Sequence, residues 1–194
     1  MKLKVAISGS HGTGKSTLAN AVCKILEREG RLIQHLPELA RSICERSNDP
    51  HFFRRGSNSA LRQLLLIIAQ TVTEEELRAG DGILICDRTI ADHWSYTLEL
   101  FGEELAESGV STMFSDYIAK HLASYDLIFY LPPEFPPADD GVREDDIQFQ
   151  NQIASRILGE LEQSRIDFVE VRGSLDARTD QVINSIHRLL KEHE

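Results

Sequence analysis

The chain has 194 residues, 41% of them apolar and 27% charged, which suits one soluble domain with a sizeable core and little more. Its net charge of −10 forfeits the counterion release that drives non-specific nucleic-acid binding, so no nucleic-acid polymer is expected as a partner. The opening MKLKVAIS lacks the long apolar core of a signal peptide and no apolar run reaches the length of a membrane span, so no membrane partner is expected and a cytoplasmic protein is.

In chain order, residues 3–8 form a short apolar run that reads as a buried strand. Residues 15–29 follow as a helical pattern closed by Gly30, and 32–36 as a second strand. A helix over 38–46 gives way to SNDPHFFRRGSNS, where Pro50, Gly56 and several Ser and Asn break the pattern. A long apolar-rich helix spans 59–78. A turn at Asp81-Gly82 leads into a buried strand over 83–86, then helices over 89–107 and 111–124 split at Gly109. Residues 126–131 form a fourth strand, 132–143 a loop rich in Pro and Asp, and 145–163 a helix. A fifth strand over 168–171 and a helix over 179–192 complete the chain. Strands with near-continuous apolar interiors alternate with helices, the mark of a parallel sheet covered on both faces, so one three-layer α/β domain over 1–194 is expected. Cys23, Cys44 and Cys86 form no CxxC or Cys/His cluster; free thiols fit a reducing compartment.

GSHGTGKS, Gly9 to Ser16, satisfies G-x-x-x-x-G-K-[ST] between a predicted strand and a predicted helix. Gly9, Gly12 and Gly14 let the chain curl so that successive backbone N–H groups can face a phosphate. The helix starting near Lys15 adds its positive dipole end. Lys15 can reach the β- and γ-phosphates and Ser16 can ligate Mg²⁺. The expected nucleotide-binding set is Gly9, His11, Gly12, Thr13, Gly14, Lys15, Ser16 and Thr17, although the pattern leaves position 11 open and assigns His11 no role. The motif by itself does not separate a kinase from a switch, a motor or a nucleotide binder.

Three further stretches narrow the choice. In LPELAR, Glu38 follows strand two at the carboxyl edge of the sheet, where ligands bind in such folds. It can accept a proton from an attacking hydroxyl, or simply complement the start of a helix. Arg41, one turn on, faces the same crevice or solvent. In ILICDRT, Asp87 ends a buried strand in a Walker-B-like position from which it can hold Mg²⁺ and its waters. Arg88 is a candidate phosphate clamp; the alternative is an Asp-Arg pair that caps the next helix. In PPADDGVRED, the loop over 132–146 suits a water-excluding lid that brings Arg143 to the transferring phosphoryl group, or a plain solvent loop.

Taken in order, GSHGTGKS, the PE-LAR pair, CDR, the Pro-rich stretch with DDGVR and VRGSLDARTDQVINSI resemble the P-loop nucleoside and nucleotide kinase superfamily. Within it the chain is most similar to the NadR-like AAA-domain group, which includes ribosylnicotinamide kinase-type proteins. The resemblance covers nearly the whole chain. It implies a five-stranded parallel sheet in the order 2-3-1-4-5, ATP and Mg²⁺ as cofactors, and phosphoryl transfer to a small acceptor. Carried over, it implies Lys15, Glu38, Arg88 and Arg143 as catalytic residues, Ser16 and Asp87 as metal ligands, and Gly173 and Leu175 beside adenine. The chain departs from many nucleotide kinases in having Arg143 as the sole arginine between Leu131 and Ser155.

The expected acceptor is a nucleoside or a ribosylnicotinamide-like metabolite. Phe53, Trp94 and Tyr96 are candidates to stack on a base, Gln70 to read its edge, and Arg54 and Arg55 to meet an acceptor phosphate; Arg41 is a further acceptor-binding candidate, and Phe52, Arg62 and Gln63 lie in the same region. Against each stands the commoner role of such residues, a core aromatic or a solvated charge. Two other readings stand beside this one: a nucleoside monophosphate kinase, which Arg54 and Arg55 favour, and a regulatory module that binds or hydrolyses ATP. The absence of an N-K-x-D stretch argues against a GTPase, and the short length against an oligomeric motor.

Overall fold

In a computed structural model, residues 2–49, 52–53, 59–78, 80–106, 109–134 and 147–192 are described. The elements run β1 (Lys2–Ser8), α1 (Lys15–Arg28), β2 (Ile33–Leu36), α2 (Leu39–Ser47), α3 (Ser59–Arg78), β3 (Gly82–Asp87), α4 (Ile90–Ala106), α5 (Val110–Leu122), β4 (Leu127–Tyr130), α6 (Ile147–Gln163), β5 (Val169–Glu170) and α7 (Leu175–Glu192). The sheet has five strands in the order β2-β3-β1-β4-β5, and every pairing is parallel. This is the three-layer P-loop fold expected. β1 lies between β3 and β4, so the chain reverses its direction of travel across the sheet at the carboxyl end of β1. Parallel sheets of this kind hold ligands at that switch point.

Alternation along β1 divides the core. Leu3, Val5 and Ile7 point to the layer of α1 and α7 and pack with Leu18, Val22, Leu26, Val182 and Ile186. Ala6 faces the other layer, where Leu84 and Cys86 of β3 meet Ile67 of α3, Trp94 of α4, Ile118 of α5 and Ile157 of α6. Lys4 shares the phase of Ala6 and is fully buried there. Its ammonium meets Glu74 Oε2 of α3 at 2.7 Å and donates to Ser124 Oγ at 2.8 Å. Glu74, also fully buried, further accepts from His121 Nε2 at 2.7 Å and Tyr125 Oη at 2.8 Å. Burial pushes the Glu74 carboxyl up, but hydrogen bonds from His121, Lys4 and Gln70 and the Lys4 charge outweigh it and hold it below the ordinary value.

Two glycines act where a side chain could not. At Gly82, φ is +107° and a Cβ would lie 2.3 Å from Leu32 O, so the turn into β3 requires glycine. At Gly30, φ is +79°; its N–H donates to Glu27 O, and Arg31 N–H to Leu26 O, which closes α1.

The structure differs from the sequence reading at the last strand and helix. β5 is short and exposed, an edge strand rather than a buried run. α7 begins one turn before the expected Thr179, because Ser174 starts it: Ser174 Oγ accepts from Ala177 N–H and Ser174 O from Arg178 N–H. Leu175 is therefore its first helical residue. Removing one member of a buried ion pair strands the other charge, so Lys4→Met is expected to cost about 3–5 kcal/mol in urea unfolding, and Lys4→Met with Glu74→Leu distinctly less.

Candidate functional site

β1, β2 and β3 deliver their carboxyl ends to one edge of the sheet, and the loops after them form the site. After β1 the chain turns through Gly9 at φ +146°, where a Cβ would sit 2.5 Å from Leu131 O. Gly12 and Gly14 also have positive φ, and Gly14 is the N-cap of α1. Thr13 Oγ1 donates to Ser10 O at 2.9 Å and tightens the curl. Lys15 is buried, not solvent-facing, and its ammonium crosses the loop to Ser10 O at 2.5 Å. Ser16 and Thr17 are exposed at the mouth of the adjoining cavity.

His11, which the sequence pattern left without a role, anchors the loop. Its N–H donates to Tyr96 Oη at 3.1 Å, its Nδ1 lies 2.8 Å from the same oxygen, and its carbonyl accepts from Gln150 Nε2 at 2.8 Å. The loop is thereby joined to α4 and α6.

Asp92 fixes the other side. Thr89 and Asp92 form a capping box at the start of α4: Thr89 N–H donates to Asp92 Oδ2 at 2.9 Å and Asp92 N–H to Thr89 Oγ1 at 3.3 Å. The fully buried carboxylate also accepts from Gly9 N–H at 2.9 Å and Ser8 Oγ at 2.8 Å. The cap of α4 therefore comes from Thr89 and Asp92, and Asp87-Arg88 is left for other work.

Arg88 carries that work. It is 2% exposed and has φ +107°, a conformation that costs a non-glycine residue about 1–3 kcal/mol. Its Nε donates to Glu38 Oε1 at 2.9 Å, while its Nη1 lies 3.5 Å from both Asp92 Oδ1 and Gly9 O. Burial alone would favour losing the proton, but Glu38, Tyr96, Asp92 and Asp87 outweigh it and raise the pKa further, so the guanidinium is a permanent cation.

Glu38 is the N-cap residue of α2, yet its side chain makes no capping hydrogen bond. The carboxylate turns to Arg88 instead, and its Oε2 lies 3.8 Å from Arg41 Nε. A cavity of about 640 Å³ opens here, lined among others by Lys15, Ser16, His35, Glu38, Arg41 and Asp87. Asp87 Oδ1 is buried and finds no hydrogen-bond partner among the described residues. An acceptor carboxylate oxygen without a donor, on a residue that shares a cavity lining with Ser16, fits a hydrated Mg²⁺. No group of three His, Cys, Asp or Glu side chains able to hold a metal occurs among the described residues, so the ion would need phosphate oxygens and waters to complete its shell.

A second, smaller cavity of about 210 Å³ lies between Gly12, Thr13, Gly14, Thr17 and the turn Gly173–Leu175. Arg178 of α7 reaches into its wall. Its Nη1 donates to Thr13 O at 2.7 Å, and its Nη2 pairs with Glu134, which also accepts from Gly173 N–H at 3.0 Å. That N–H and the Arg178 contacts hold the Glu134 carboxyl below its ordinary value.

The family model of the AAA domain matches residues 4–178. The chain belongs to the AAA-domain family. No curated protein matches it significantly. Deoxyadenosine kinase from M. mycoides with bound dATP superposes at a TM-score of 0.65 with 14% identity, covering 95% of this chain and 99% of that one. NadR protein in complex with NR superposes at 0.69 with 21% identity over 96% of this chain and 51% of that one. NadR in complex with NAD and AMP-PNP gives 0.69, 21%, 96% and 49%. This AAA domain thus spans about half the length of NadR, and it has a nucleoside-kinase-type P-loop fold.

The residues expected to meet an acceptor separate into groups. Tyr96 borders the site, its ring 5.3 Å from the Arg88 guanidinium carbon. Trp94 does not: it is fully buried and stacked on Phe114 with centroids 5.7 Å apart, because its position on α4 faces the sheet. Phe53 is also a core residue, packed with Cys44 and Leu66. Arg62 and Gln63 hold the segment before α3 by donating to Phe52 O and Phe53 O. Gln70 is 2% exposed and spends its amide inside the protein. Arg54, Arg55, Arg143 and most of the expected lid over 132–146 lie outside the described residues.

Sequence reasoning missed Asp92, Arg178 and His93. T-x-x-D directly after CDR was a readable signal for Asp92; the other two depend on contacts distant in sequence. Burial lowers the pKa of His93 from the ordinary 6.5 to about 4, with the Arg88 charge adding to it against Asp92, Glu38 and Glu74. The unfolded chain therefore binds more protons than the native one between pH 6.5 and 4, and stability falls as pH drops through that window. Urea unfolding of His93→Asn should show a flatter pH dependence there, by up to about 3 kcal/mol less loss than wild type.

Proposed function

We propose that the chain is an ATP- and Mg²⁺-dependent phosphotransferase acting on a small hydroxyl-bearing metabolite, a nucleoside or a ribosylnicotinamide-like acceptor. One observation carries the reading: Lys15, Ser16, Asp87 and Glu38 line a single cavity. Phosphate-handling groups and a carboxylate able to take a proton thus face the same space. The occupants of the solved neighbours, NR, AMP-PNP and dATP, support a nucleotide donor and a nucleoside-like acceptor. Free, buried Cys23, Cys44 and Cys86 support a cytoplasmic location.

In this reading the glycine-rich loop over 9–16 cradles the donor phosphates, and the turn Gly173–Leu175 borders the adenine. Ser16 and Asp87 would hold Mg²⁺, which shields the charge on the β- and γ-phosphates. The acceptor hydroxyl oxygen forms a bond to the γ-phosphorus as the bond to the bridging β-oxygen breaks. ADP leaves with that electron pair, and the hydroxyl proton passes to Glu38. Arg88 orients Glu38 through its 2.9 Å bond to Oε1 and keeps a positive charge beside the transferring group. Lys15 exchanges its loop contacts for phosphate oxygens, and Arg143, outside the described residues, is the candidate to meet the transferring phosphoryl group.

Arg41 at the cavity favours a second reading, in which the acceptor is a nucleoside monophosphate. Purified protein with Mg²⁺, radiolabelled ATP and a panel of nucleosides, nicotinamide riboside and the matching monophosphates decides between them. Label in a nucleoside-type product is the expected result. Label only in monophosphate products establishes the second reading. ATP turnover unchanged by every acceptor contradicts both and leaves a regulatory ATPase. With the acceptor in hand, Glu38→Gln should lower kcat by about two to four powers of ten, and an unchanged kcat would make Glu38 structural. Lys15→Met, which keeps the buried methylenes, should abolish transfer without lowering the melting temperature.

A further inference from the structure

The polar groups behind Arg88 form a continuous buried chain that the transfer reaction as described does not use. Gln70 Nε2 on α3 donates to the Arg88 carbonyl at 3.0 Å and to Glu74 Oε1 at 2.7 Å. Both amide hydrogens are then spent, so Gln70 Oε1 must accept, and it lies 2.6 Å from His93 Nε2. His93 therefore carries its proton on Nε2. Gln70, Glu74, Arg88 and His93 are 2%, 0%, 2% and 3% exposed. Glu74 is in turn locked by Lys4, His121 and Tyr125. The amide can adopt one orientation only, because a flipped Gln70 would set its oxygen against the Glu74 carboxylate and the Arg88 carbonyl.

The contact falls on the backbone of the one residue among these whose φ is positive. With φ at +107° the Arg88 carbonyl meets Gln70 of α3 at 3.0 Å, while its N–H keeps the regular ladder bond to Ile7 O at 3.1 Å. Without a donor on α3 that carbonyl would be buried and unpaired, and the peptide would relax toward negative φ. The side chain would leave Glu38 as it did so. We propose that Gln70 is a positioning residue, whose amide, fixed by His93 and Glu74, holds the Arg88 peptide in the left-handed conformation that presents the guanidinium to Glu38. Gln70 then reads no acceptor edge; it acts through Arg88. The inference rests on the proposed transfer reaction for its kinetic consequence and on geometry alone for its structural one.

Gln70→Leu removes the donors at similar volume, and two readouts follow it. The first is the Arg88 Nε–H resonance in ¹⁵N–¹H spectra, assigned by its loss in Arg88→Lys. A bonded, buried Nε–H is protected from exchange in the wild type; in Gln70→Leu it should shift and lose that protection. The second is kinetic: kcat should fall about 10- to 100-fold while KM for ATP stays within about twofold, since the glycine-rich loop is untouched. A lower melting temperature with the resonance and kcat both retained would make Gln70 merely structural and overturn the proposal. Should Gln70→Leu fail to fold, Gln70→Met removes the same donors with a more adaptable side chain and is read in the same two ways. If the wild-type protein transfers phosphate to no acceptor, the proposed function fails, and the Arg88 resonance still decides the positioning.

Discussion

The ion pair between Arg88 and Glu38 joins the ends of β2 and β3, and the rest of the site is arranged around it. Both partners are buried, at 2% and 8% exposure, so neither charge is stable there alone. Leaving one unpaired would cost about 3–5 kcal/mol, which exceeds the strain of about 1–3 kcal/mol carried by the Arg88 backbone. The pair and the Gln70 bond to the Arg88 carbonyl together make the strained conformation the lower-energy choice; without that bond an unpaired buried acceptor adds about 1–3 kcal/mol and removes the margin. The pair's position is a consequence of topology: β3 lies between β2 and β1, so a residue just past its end can reach Glu38 on one side and Gly9 on the other.

Two carboxylates with different surroundings support this pair. Asp92 is saturated by Gly9, Ser8 and Thr89, and ties the start of α4 to the glycine-rich loop. Asp87, the neighbour of Arg88 in sequence, lines the cavity and has a buried oxygen without a donor among the described residues. A carboxylate that is fully bonded serves structure, and one with an unpaired oxygen is available for a ligand. The same contrast separates Trp94, sealed against Phe114, from Tyr96, whose hydroxyl meets His11 and whose ring lies by Arg88.

Much of the fold was legible in sequence because its signals are local. The span of α3 was read without error, and the sheet order follows from strands alternating with helices once the family resemblance is admitted. Gly30 and Gly109 marked helix boundaries through positive φ, which is a property of the residue itself. One miss is local and the others are not. Ser174 starts α7 a turn early by a cap that VRGSLDAR does not distinguish from a loop. Trp94 proved a core residue because sequence gives its position along α4 but not which face of the helix meets the sheet, and Phe53 because its segment packs on Cys44 and Leu66. Lys4 broke the apolar run of β1 without consequence for the strand, since its partner Glu74 lies 70 residues away on a helix packed over it. Gln70, read as a surface contact for an acceptor, is buried by that same packing.

Glycine-rich loop, capping box and buried amide thus converge on one guanidinium, and through it on one carboxylate. In the proposed phosphoryl transfer Glu38 and Arg88 act as a unit. A double-mutant cycle on kcat, with Arg88→Met, Glu38→Gln and the double variant, measures this directly. The double variant should lose little more than the worse single one, with a coupling of at least about 1 kcal/mol. Losses that multiply, so that the double variant equals the product of the singles, would contradict it.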